Sequence, residues 1–82
     1  MAAPGGSSMD APRVIDARFL PPPEPFVRAM EALDTIGPGE RVLLLLFREP
    51  FPLYKVLDEH GFGRQTTAQA DGTYEILIWK KG

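Results

Sequence analysis

Apolar positions change period along the chain, and each change marks an element. Val14-Ile15-Asp16-Ala17-Arg18 reads as a short strand, bounded by Pro12 and by the prolines that begin at Pro21. Phe26, Met30 and Leu33, flanked by Val27 and Ile36, recur at helical spacing, while Arg28, Glu31 and Asp34 fall between them. Gly37-Pro38-Gly39 stops that helix. Arg41 to Phe47 holds an unbroken apolar run, too short for a typical helix, and reads as a central strand. A second helix is expected from about Pro52 to His60, with Leu53, Val56, Leu57 and His60 on one face and Gly61 as its stop. Gly63 to Gln69 is a weaker, threonine-bearing strand, and Asp71-Gly72 is a hairpin signal. In the last strand, Tyr74 to Lys80, the residues Tyr74, Ile76 and Ile78 alternate with Glu75, Leu77 and Trp79.

The resulting order, β-α-β-α-β-β, predicts an α/β (α+β) two-layer sandwich with two helices on one face of a four-stranded mixed sheet. Right-handed crossovers make the first three strands parallel, and the hairpin returns the fourth antiparallel. The ends of the first two strands and the starts of both helices then share one edge of the sheet. Two proline-containing turns, Pro21 to Pro25 and Arg48-Glu49-Pro50-Phe51-Pro52, become neighbours there, with the Asp71-Gly72 hairpin towards the same end.

Composition narrows what such a domain does. At 82 residues the chain makes one domain, and a chain of this size buries only about 60% of its unfolded surface. Residues 1–12, rich in Ala, Gly, Ser and Pro, are expected to be a disordered tail, and residues 13–82 the domain. A net charge of -2 argues against general affinity for nucleic acid or an anionic membrane. The run from Val42 to Phe47 is far below the roughly 18 residues of a membrane span. Met1 to Ala11 has neither the basic nor the apolar region of a secretory signal, so a cytoplasmic protein is expected. The absence of cysteine removes disulfides, a thiol nucleophile and thiolate metal ligation.

The stretch Asp16-Ala17-Arg18-Phe19-Leu20-Pro21-Pro22-Pro23-Glu24-Pro25 resembles the Cys-Pro-x-Pro motif, with its lead, of the TusA-like (SirA-like) superfamily of small sulfur carriers. Pro23 and Pro25 match the motif prolines, Asp16 and Leu20 match the lead, Phe19 stands where glycine is usual, and Pro22 replaces the cysteine. Gly39-Glu40 and the ending Ile78-Trp79-Lys80-Lys81-Gly82 also fit. Within that superfamily the chain is most similar to an uncharacterised branch, domain of unknown function 2249, through Pro-Pro-Glu-Pro-Phe and through Arg48-Glu49-Pro50-Phe51-Pro52-Leu53 followed by Leu57 and His60-Gly61-Phe62. The resemblance implies the carrier fold without its chemistry. Persulfide transfer needs a thiolate activated at a helix N-terminus, and proline offers none.

Candidate interaction residues are Arg18, Pro22, Pro23, Glu24, Pro25, Arg48 and Glu49, all on the shared edge. Two arginines beside two helix starts suit a small anion such as a carboxylate or phosphate. Alternatively, Arg–Glu pairs tie the turns together or stay solvated, at about 0–1 kcal/mol each. His60 is the only histidine and suits a helix-end role better than a metal site; no catalytic residue, cofactor or metal is expected. Trp79, Tyr74 and Phe62 raise an RNA-stacking reading that core packing answers equally well. The expected function is a non-catalytic interaction or accessory module with a protein partner, which the resemblance places in redox or sulfur-related chemistry. The alternatives are an anion- or small-ligand-binding module at the same edge and a sulfur relay whose thiol comes from a partner.

Overall fold

The computed structural model describes residues 11–81. Most of the expected tail, residues 1–12, lies outside the described residues. The elements run β1 (Arg13–Asp16), α1 (Glu24–Leu33), β2 (Arg41–Leu46), α2 (Phe51–Glu59), β3 (Phe62–Ala68) and β4 (Tyr74–Lys80). They form one four-stranded sheet of order β1-β2-β4-β3. β1 and β2 are parallel, with Ile15 beside Leu44; β4 is antiparallel to both β2 and β3. The first three strands therefore share a direction, as the crossover argument expects.

Alternation along the central strands decides the layers. Val42, Leu44, Leu46, Ile76 and Ile78 are buried under the helices, where each large aliphatic side chain contributes about 1.5–3 kcal/mol. Leu53 and Leu57 reach them from α2 at the expected spacing. The opposite face carries Leu43, Leu45, Leu77 and Trp79, each half-buried. There the Trp79 indole lies over Gly63, where an added Cβ would stand 2.5 Å from the ring, so only glycine fits.

Helix α1 departs from expectation in two ways. It buries Ala29, Ala32 and Leu33, while Phe26 and Val27 remain about 40% exposed. Alanines let the helix lie close on the sheet, and an apolar residue on nearly every side makes spacing a poor guide to the buried face. It also stops at Leu33, ahead of Gly37, because the Thr35 hydroxyl and N–H both donate to the Ala32 carbonyl. β1 ends at Asp16, two residues before Arg18. The Asp16 carboxylate accepts the Arg18 N–H at 3.2 Å, which turns the chain. Helix α2 begins at Phe51, one residue before Pro52, and Gly61, at φ 78°, closes it in the left-handed region.

Candidate functional site

Both crossovers begin with the same device. Helix α1 starts Pro23-Glu24-Pro25 and α2 starts Pro50-Phe51-Pro52, with a proline at the N-cap and another in the first turn. Proline suits these positions because first-turn N–H groups have no partner within the helix. Neither cap has a side-chain hydrogen bond. In α2 the Phe51 N–H donates to the Glu49 carbonyl, those of Leu53 and Tyr54 donate to Pro50, and Pro52 has none. In α1 the N–H groups of Glu24 and Val27 donate to Pro21 and Pro23. The first turn of α2 thus has no amide hydrogen left for an anion.

The edge forms as the topology requires. Pro22, Pro23, Pro25 and Phe26 face Pro50, Pro52 and Leu53 across a cleft of about 380 Å³ floored by Leu44 and Leu46. Arg48 and Glu49 stand on its rim. A second hollow of about 300 Å³ adjoins it, with Pro22, Pro25, Leu46 and Arg48 in common, and extends to Arg18 and Phe47. All seven candidate residues lie at this edge: Pro22, Pro23, Pro25, Arg48 and Glu49 line the cleft, Arg18 lines the adjoining hollow, and Glu24 lies between Pro23 and Pro25.

The charged groups are used unequally. Arg18 makes a two-pronged contact with Asp16 (Nε to Oδ1 2.9 Å, Nη2 to Oδ2 2.7 Å) and donates from Nη1 to Thr73 Oγ1 at 3.4 Å. The side-chain and backbone donors of Arg18 hold the Asp16 carboxyl at about 2, well below the usual range. Thr73 is buried, and its N–H donates to Asp71, so the Asp71-Gly72 hairpin does lie at this end. Glu24 pairs loosely with Arg28 at 3.5 Å, and Glu49 accepts the Tyr54 hydroxyl at 2.9 Å. The Arg–Glu pairs considered as ties between the turns are therefore replaced by local ones. Arg48 is exposed, and its side chain makes no ion pair or hydrogen bond among the described residues.

Aromatic rings join the turns instead. Phe19 and Phe47 meet edge to face at 5.2 Å, and the Arg18 guanidinium lies 5.9 Å from the Phe47 ring. Phe19 is 82% exposed, Phe51 65%, Phe47 47% and Phe26 40%. These rings are the part of the site that the sequence reading missed. Their signal is in the sequence: Phe19 and Phe51 lie within or beside the proline turns, outside the apolar segments, and Phe47, at the end of the apolar run, lies one residue beyond the strand. The stacking platform raised for RNA is absent among the described residues: Phe62 is buried under the helices, Tyr74 packs against the core, and Trp79 lies on the opposite face. His60 caps the C-terminal end of α2 and is exposed. No group of His, Asp or Glu among the described residues is placed to hold a metal, and no described helix is long and apolar enough to cross a membrane.

Comparison with known proteins agrees with this architecture. The crystal structure of a SirA-like protein from Desulfitobacterium hafniense superimposes with a TM-score of 0.74 at 25% identity, covering 84% of this chain and 97% of that one. No curated protein matches the chain. Residues 14–80 match the family described as uncharacterized conserved protein (DUF2249). With the fold, both proline motifs and nearly the whole domain accounted for, the chain belongs to the DUF2249 family.

Proposed function

We propose that this protein is a non-catalytic recognition module that binds a protein partner through the double-proline edge. The observation that carries this reading is the concentration of exposed aromatic rings at the double-proline edge: Phe26 lines the cleft, Phe47 lines the adjoining hollow with Phe19 packed on it, and Phe51 stands between the cleft residues Pro50 and Pro52. Exposed apolar groups gathered at one place mark interaction sites, and aromatic residues are enriched in the buried centres of interfaces. The likeness to sulfur carriers makes a redox or sulfur-related protein the first class of partner to test. With proline at position 22 and no cysteine in the chain, any persulfide belongs to the partner.

The test is affinity capture from the native host, followed by direct titration of the purified partner into labelled protein. Binding should shift amides around Phe19, Phe26 and Arg48 to Leu53. The Phe19→Ser/Phe51→Ser double variant should lose capture while keeping its circular dichroism spectrum. A partner whose footprint falls on β3 or the uncovered sheet face would overturn the assignment.

A further inference from the structure

Resting on that reading, we infer that the cleft takes an apolar side chain of an extended peptide segment, and that Arg48 receives a carboxylate next to it. The cleft is suited to the first half of this description. Its floor and walls are leucine, proline and phenylalanine, and its roughly 380 Å³ lies at the small end of the 300–1,000 Å³ range of binding pockets. Five of its lining residues are prolines, which have no N–H, so the walls offer the peptide backbone few donors and select mainly by apolar contact.

Charge supplies the second half. Other ionic groups at this edge are already in contact: Asp16 with Arg18, Glu24 with Arg28, Glu49 with Tyr54 and Asp71 with the Thr73 N–H. Among the charged residues that line the two adjoining hollows, Arg48 alone has no ion pair or side-chain hydrogen bond, and it stands on both. A guanidinium presents a planar fork of donors that a carboxylate fits in a two-pronged manner. Because α2 has no first-turn amide hydrogen to share the anion, Arg48 is the group by which this side of the cleft selects the acid.

The probe is an array of nonapeptides with a central Leu or Phe flanked on either side by Asp, Asn or Lys, and the best binders are then titrated in solution with amide mapping. Asp-flanked peptides should bind on the order of fivefold tighter than their Asn counterparts, the difference expected of one exposed ion pair. Arg48→Ala should erase that difference, and Arg48→Glu should transfer the preference to Lys-flanked peptides. Preference for Lys on the unaltered protein, or for Asp in Arg48→Glu, would overturn the inference, as would no binding by any member. If peptides bind without charge preference and still shift Phe26 and Leu53, the docking edge survives and only its acidic selectivity fails. A footprint elsewhere removes both.

Discussion

The two strand-to-helix turns are built to one plan and finished differently. Each has an arginine two residues beyond its strand, Arg18 after Asp16 and Arg48 after Leu46, and each then reaches a Pro-x-Pro helix start. In the first turn the strand's last residue is an exposed aspartate, and it captures the arginine. The second strand lies in the middle of the sheet, and its last residue is a leucine only 6% exposed, directed into the core. Nothing there can hold Arg48. The same residue at the same place thus becomes a clamp in one turn and an available charge in the other, and the difference follows from where each strand sits in the sheet.

Exchanging the strand-end residues would break this comparison most severely. Leu46→Ala should cost about 2–5 kcal/mol, because the side chain lies in the core as well as on the cleft floor. Urea denaturation should show a much smaller loss for Asp16→Ala at neutral pH, since that carboxylate is exposed. Comparable losses would mean that the first turn's clamp matters to the core as much as Leu46 does.

A smaller effect sharpens the account of the second turn. Its order comes from α2: the Tyr54 hydroxyl contacts both Glu49 and Thr66, while its ring lies 4.2 Å from the Arg64 guanidinium. Burial is the main reason the Tyr54 hydroxyl is held above its ordinary pKa. Tyr54→Phe should destabilise the protein by about 0.5–1.5 kcal/mol. Hydrogen exchange should quicken at Phe51 and Leu53 but hold steady at Leu20. Equal acceleration in both turns would show that they are one cooperative unit.

The sequence made the fold and the meeting of the two turns legible, because the apolar runs at Val42 to Leu46 and Ile76 to Ile78 leave little choice of layer and crossover handedness does the rest. It did not show which arginine would be engaged. Asp16 and Arg18 are close in sequence, so their pairing was within reach, but the engagement of Glu49 with Tyr54 depends on the pitch of α2, and that of Thr73 with Arg18 on a contact 55 residues apart. The buried face of α1 is hard to read from sequence for a related reason: alanine gives a weak periodic signal, yet Ala29 and Ala32 are the residues buried against the sheet.

The least costly way to separate the two arginines is to titrate Asp16. Its carboxyl is held at about 2, first by the Arg18 side chain and then by the Arg18 backbone N–H, whereas in the unfolded chain it should titrate near its ordinary value of about 3.9. A carboxyl depressed in this way favours the folded state fully above the unfolded value, and its contribution is lost as pH falls through the folded one. The clamp should therefore weaken between about pH 4 and the folded value of about 2. Carbon-detected NMR should place the Asp16 midpoint near the bottom of that window. Arg18→Gln should return it towards 3.9, while Arg48→Gln should leave it unmoved, because Arg48 makes no contact with this carboxylate. Asp71 is also depressed, chiefly by the Thr73 N–H, with only a small contribution from the Arg18 charge, so it should stay low in both variants. If Asp16 rises equally in the two arginine variants, the turns share their charges, and the distinction between clamp and available group fails.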